Sequence, residues 1–173
     1  CYHGHVDSLL VKAGSGLVTF GESASAGVPE AFANETIVLP LNDEAAVQNT
    51  LEALNHEIAA IIIEPIPANN GLLLQSHKFL LHLREMCTKY GVLLIFDEVI
   101  SGFRVGFEGA AGLYKIQPDI IHIHNTKELE IMHHARMFLT KKVPIVGTRH
   151  NPVLKKKFAL ADLGVAVSDE TRL

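Results

Sequence analysis

Two apolar runs, Ala59 to Ile63 and Val92 to Phe96, bracket a segment in which Phe79, Leu80, Leu83, Met86, Cys87 and Tyr90 recur at helical spacing. Short apolar runs bounded by turn residues read as buried strands, and the stripe between them is one face of an amphipathic helix that Gly91 ends. Strands joined through a helix lie parallel, with a right-handed crossover. The expected fold class is therefore α/β, a mainly parallel sheet with helices on its faces. Because both runs are continuous rather than alternating, both strands are expected to be buried on both sides. Upstream, Glu35 to Pro40 reads as a further strand, and Asn42 or Asp43 can cap a helix that carries Val47, Leu51 and Leu54.

Composition narrows the class. With 173 residues, 48% of them apolar and 20% charged, the chain can bury about two thirds of its unfolded surface and needs no disulfide or structural metal to hold a core. Cys1 and Cys87 are far apart and fit a reducing compartment. The longest mostly apolar run, Ile58 to Ile66, carries Glu64 and falls short of the ~20 residues a membrane helix requires. The first residue is Cys and no basic-then-apolar leader opens the chain, so it is expected to begin inside a longer protein. Charge changes sign along the sequence: residues 1 to 122 hold 6 Lys/Arg against 14 Asp/Glu, and residues 123 to 173 hold 9 against 5.

Parallel sheets bind ligands beyond the carboxyl ends of their strands. Glu64 closes one expected strand there, and Asp97-Glu98 closes the other. Successive strand residues point to opposite faces, so only one of Asp97 and Glu98 can face a ligand. From the residues alone, either acid also reads as a helix cap or a loop ion pair.

The run Phe96-Asp97-Glu98-Val99-Ile100-Ser101-Gly102-Phe103-Arg104 resembles the Asp-Glu-Val-x-x-Gly-Phe-Arg signature of class III pyridoxal-phosphate-dependent aminotransferases of fold type I. Further landmarks resemble the aminomutase branch of that family: Cys1-Tyr2-His3-Gly4-His5, Val11-Lys12-Ala13-Gly14-Ser15-Gly16, Gly27-Val28-Pro29, Glu64-Pro65 with Asn69, and Gln117-Pro118-Asp119. The resemblance runs from Cys1 to about Ile121. It implies that residues 1–121 are part of a fold type I large domain, with residues 122–173 a divergent, basic and His-rich continuation of it. The implied cofactor is pyridoxal 5′-phosphate. The implied reaction is the isomerisation of a small amino-acid-derived substrate, glutamate 1-semialdehyde, to 5-aminolevulinate for tetrapyrrole synthesis. A homodimer in the cytoplasm or plastid stroma goes with it, with no nucleic-acid or membrane partner.

The same resemblance implies roles for single residues. Asp97 would hold the protonated pyridine nitrogen, keeping the ring able to draw electrons from the substrate. Val99 would pack on one side of the ring and Tyr2 would stack on the other. Asn69 would lie near the phenolic oxygen, Ser15 would face the substrate, and the Gly/Ser/Ala-rich loop from Gly16 to Val28 would gate the pocket. Thr148, in a Gly-Thr-x-x-Asn-Pro stretch, would reach the cofactor phosphate of the neighbouring subunit. Read without the family, Ser15 and Asn69-Asn70-Gly71 are turns, and Val99 is core.

The resemblance breaks at the covalent lysine. Six positions after the residue matching Asp119 the family has its Schiff-base lysine among glycines, whereas this chain has Asn125. Lys127 is the candidate substitute, displaced by two residues and without flanking glycine, the residue that permits the family's tight turn. Two readings follow: an aminomutase-type enzyme read in part, or a non-catalytic α/β domain descended from one. A third, a small metal- or phosphate-binding module, rests on His122, His124, His133, His134 and the Lys155-Lys156-Lys157 run. No Cys or carboxylate completes a metal-ligand spacing around these histidines, so no metal is expected.

Overall fold

The computed structural model describes residue 11 and residues 19–20, 27–54, 56–69, 71–124, 126–135, 143–149 and 159–166. The chain divides into two compact units, Cys1–Ile58 and Ala59–Leu173. In the first, strands β1 (Thr19–Phe20) and β2 (Ile37–Val38) pair antiparallel, so only two residues of the expected Glu35 to Pro40 strand are extended in a ladder. Helix α1 (Glu30–Ala33) precedes β2, and helix α2 (Glu44–Ala53) follows it. Asp43 caps α2 by accepting the Ala46 N–H at 2.9 Å, which satisfies one of the donors a helix start leaves open. Val47 and Leu51 are buried, as their spacing requires.

The second unit is a five-stranded parallel sheet in the order β3 (Ala60–Ile63), β4 (Leu93–Asp97), β5 (Ile120–Ile123), β6 (Ile145–Arg149), β7 (Leu163–Ala166). Helices α3 (His77–Tyr90), α4 (Gly109–Tyr114) and α5 (Thr126–Ala135) make the first three crossovers. Ser76 starts α3 by accepting the Phe79 N–H at 3.0 Å, and Gly91 ends it at φ 68°, a left-handed conformation that glycine adopts without strain. The change in charge near residue 122 falls inside β5, so it marks no break in the sheet.

Register sets which side chains share a face. Phe96 pairs with Ile121, and Ile121 with Ile145; all three are fully buried, with Leu94 and Ile123 on the same side. Ile121, Ile123, Val143 and Ile145 form one cluster with Leu129 of α5, and Phe103 packs against it. The alternate positions, Ile95, Ile120, His122 and Val146, are only half-buried, and Leu93 is 45% exposed. Burial therefore alternates along β4 and β5, whereas the continuous run Val92 to Phe96 predicted for β4 a strand buried on both sides. β3 is the first strand of the order, and only Ile63 of its four residues is buried.

An aspartate clamps the amino end of two strand pairs in the same way. Asp119 donates its N–H to Leu94 O (2.8 Å) while its Oδ2 accepts the Leu94 N–H (2.8 Å). Asp162 does this to Ile145, at 3.0 and 2.9 Å. Arg84 of α3 donates to Asp119 Oδ2 at 2.7 Å, which ties the helix to the clamp. These bonds stagger β4 against β5 and β6 against β7, and so decide which residues reach the carboxyl ends together.

Candidate functional site

Asp97 is the last residue of β4 and is 3% exposed. Its Oδ1 accepts the Val99 N–H at 3.1 Å; among the described residues Oδ2 takes no hydrogen bond. Burial pushes the Asp97 carboxyl up to about 6; the Val99 N–H opposes the shift, and the charges of Glu64 and Glu98 add to it. His122 is the register partner of Asp97 on β5, so both side chains leave the sheet on the same side.

Thr148 lies two residues beyond Val146, the register partner of His122, and therefore on that side as well. The Thr148 hydroxyl is 2.8 Å from His122 Nε2. His124 meets the His122 ring edge-on, with centroids 4.7 Å apart. Four polar side chains, Asp97, His122, His124 and Thr148, thus gather at the carboxyl ends of three neighbouring strands.

Glu98 points the other way. It is fully buried, and its carboxylate accepts the Ser101 hydroxyl at 2.5 Å and the Ala110 and Ala111 N–H groups at 3.0 Å each. Burial raises its pKa, and these three donors act against the rise. The turn that follows closes on itself. Gly102 N–H donates to Glu98 O at 2.8 Å, and a Cβ on Gly102 would sit 2.7 Å from that oxygen. Arg104 donates from Nη1 to Val99 O (3.1 Å) and Ile100 O (2.8 Å). Gly109 has φ +64°, and a Cβ there would lie 2.8 Å from Glu98 Oε1.

The remaining candidates are spread more widely. Val99 is half-buried, next to the Asp97 carboxyl whose oxygen its N–H holds. Asn69 is exposed in the turn after β3, where Gly71 and Leu72 have φ of 88° and 57°. Lys127 is the second residue of α5, past the end of β5; its side chain, like Tyr2, Ser15 and Asn125, lies outside the described residues. So does most of the expected gate between Gly16 and Val28, and the run Lys155 to Lys157. His133 and His134 stand in the last turn of α5. Among the described residues no group of three or more His, Cys, Asp or Glu side chains could hold a metal ion. No described helix is long and apolar enough to cross a membrane. A cavity of about 570 Å³ opens at the amino ends of the strands, lined by Arg84, Cys87, Gln117, Asp119 and Val143, at the opposite end of β4 from Asp97. Burial holds the Cys87 thiol there at about 11, so it is inert at neutral pH.

The model of the class-III aminotransferase family matches residues 1–143. The chain belongs to that family. Among curated class-III relatives, the glutamate-1-semialdehyde 2,1-aminomutase of Leptospira interrogans is 58% identical over 121 residues, 70% of this chain and 27% of its own length. That of Herminiimonas arsenicoxydans is 53% identical over 120 residues, 69% of this chain and 28% of its own. Among solved structures, a transaminase with pyridoxal phosphate bound superposes with a TM-score of 0.62 at 37% identity, covering 70% of this chain and 28% of that one. A glutamate-1-semialdehyde aminomutase from Pseudomonas aeruginosa PAO1 gives 0.56 at 30%, covering 68% and 25%. The chain therefore spans little more than a quarter of the length of these class-III proteins, and its fold is part of theirs.

Sequence reading did not find every role in the site. Ser101 and Gly102 stand inside the family signature, but their part around Glu98 was not legible, and Gly109, eleven residues from Glu98, lies outside it at the start of α4. The His122–Thr148 contact spans twenty-six residues. A hint of it lay in the matching parity of His122 and His124, which places both on one face of a strand.

Proposed function

We propose that this chain is a portion of the cofactor domain of a glutamate-1-semialdehyde 2,1-aminomutase, and that Asp97 holds the ring nitrogen of pyridoxal 5′-phosphate. The observation that carries the reading is the buried Asp97 carboxyl at the end of β4, with one oxygen fixed by Val99 N–H and the other taking no hydrogen bond among the described residues. A protonated pyridine nitrogen is a single N–H donor that needs one carboxylate oxygen in a dry site, and Asp97 fits that demand. The cofactor, when bound, supplies an electron sink for the substrate carbon. Val99 would pack against one ring face, Asn69 would approach from the turn after β3, and Thr148 would contribute a hydroxyl toward the phosphate of the neighbouring subunit's cofactor. Tyr2 and Ser15 would complete the cofactor and substrate contacts, as the resemblance implies.

Asp97 acts by charge: its ionised form pairs with the ring N–H and keeps the proton there. Partial burial strengthens that pairing because little water competes for the charge. Lys127 is the candidate for the covalent lysine of the family. Its place in α5 rather than at the end of β5 supports a chain that holds the cofactor without a lasting bond and does not turn over. Displacements of a few ångströms remove the gain of a positioned nucleophile.

The reading carries the family's homodimer with it, and Leu72, Leu73 and Leu74, 61%, 48% and 65% exposed, are apolar surface that a partner would cover. Residues 1–121 and 122–173 belong in this reading to one domain, in the cytoplasm or plastid stroma. Titration of the chain with pyridoxamine phosphate, followed by cofactor fluorescence, tests it. Saturable binding that Asp97→Asn abolishes supports the reading. Binding that is equal in the variant refutes it.

A further inference from the structure

The buried Glu98 carboxylate is too well satisfied to be a spare acid. Its three donors come from two places: Ser101, in the turn that leaves β4, and Ala110 and Ala111, at the start of α4. It sits between the two segments and pulls them onto one point. Gly109 gives it room, since a Cβ there would lie 2.8 Å from Glu98 Oε1, and Gly102 lets the turn close, since a Cβ there would lie 2.7 Å from the Glu98 backbone oxygen. The Ser101 bond matters most for the site, because the turn from Glu98 to Gly102 contains Val99. That residue's N–H is the donor on Asp97 Oδ1.

We propose that Glu98 is a positioning residue: acting through Ser101, it fixes the turn that presents the Val99 N–H to Asp97, and so sets the direction in which the open oxygen of Asp97 faces. A carboxylate at the end of a strand can rotate about its Cα–Cβ and Cβ–Cγ bonds, and a ligand that needs one oxygen in one place loses affinity to that freedom. The Val99 bond removes the freedom. Arg104, holding Val99 O and Ile100 O, stiffens the same turn from outside. The role rests on the reading of Asp97 as the group that holds the cofactor nitrogen.

Two variants separate positioning from plain stability. Glu98→Gln keeps the shape but turns an NH2 donor toward at least one of the three donors, so it loosens the turn as well as removing the charge. Ser101→Ala keeps the charge and cuts the link to the turn. Amide hydrogen exchange in the 173-residue chain is expected to quicken at Val99 by about tenfold in Ser101→Ala, while Ile95 and Phe96 in β4 keep their rates. The Asp97 carboxyl midpoint is followed by carbon NMR. It is expected to rise in Ser101→Ala, which loosens a bond to the ionised form. Val99 exchange that stays in step with Ile95 and Phe96, or an Asp97 midpoint that does not rise in Ser101→Ala, would overturn the proposal. If Glu98→Gln does not fold, Ser101→Ala decides by its own two readouts. Pyridoxamine phosphate added to the unaltered chain tests the other reading separately: an Asp97 resonance that ignores it removes the cofactor role and leaves the turn result standing.

Discussion

His122 Nε2 and Thr148 Oγ1 lie 2.8 Å apart and join the carboxyl ends of β5 and β6 on the side of the sheet that carries Asp97. The bond places the first residues of the divergent stretch in the sheet beside the family motif. Both side chains are partly buried, so Thr148→Val strips a partner from an imidazole that water reaches poorly. The expected cost is about 1 to 2 kcal/mol in urea unfolding. A Thr148→Ser variant keeps the hydroxyl and should recover most of it.

Asp97 makes stability depend on pH with a definite sign. Its carboxyl titrates at about 6 in the folded chain, against an ordinary value of 3.8. Between those values the folded state holds a proton that the unfolded state has lost, so stability is present below the ordinary value and is lost as pH rises through about 6. The loss is on the order of 3 kcal/mol. Asp97→Asn should flatten that slope and leave the chain more stable than the parent at pH 7. Chemical unfolding at pH 4.5 and pH 7.5 checks both.

Glu98→Ala leaves three buried donors without an acceptor and opens a cavity behind the turn. A loss of about 3 to 5 kcal/mol is expected, enough to unfold most of a marginally stable domain. Gly109→Ala should also destabilise, through its left-handed φ and the clash with Glu98 Oε1. Thermal unfolding of both variants, with Glu108→Ala as a nearby comparison, reads this out.

Covalent chemistry is where the chain should part from complete relatives. Borohydride treatment with pyridoxal phosphate should leave no specific reduced adduct on Lys127, and the chain should show no aminomutase turnover. A basic amine is a nucleophile only in a site that lowers its pKa and holds it within reach. Mass spectrometry showing a single phosphopyridoxyl group on Lys127, lost together with activity in Lys127→Ala, would restore the covalent role.

Much of the second unit was legible because local rules and the fold agree there. Phe79, Leu80, Leu83 and Cys87 are buried at their helical spacing, and Gly91 ends that helix as its chemistry requires; in the first unit Asp43 begins α2 in the same way. Met86 and Tyr90, expected in the same stripe, are only half-buried at its margin. The apolar run Val92 to Phe96 hid the alternation in β4, since Ile95 is aliphatic even on the half-buried side. β6 and β7 were not foreseen: Pro144 interrupts the run from Val143 to Val146, and a proline argues against a strand core, yet it stands just before β6 begins. The acids at the ends of β3 and β4 were visible as a group. Which of them turns inward was set by α4, more than ten residues away.

Carbon NMR of the Asp97 carboxyl during a pyridoxamine phosphate titration tests the central claim most directly. Binding is expected to be weaker than ~100 µM, because the covalent lysine is not where the family has it. Even so, the Asp97 resonance should move saturably, and its midpoint should drop below 6 as the pairing with the ring N–H stabilises the ionised form. An Asp97 resonance and midpoint unchanged at saturating ligand would contradict the claim.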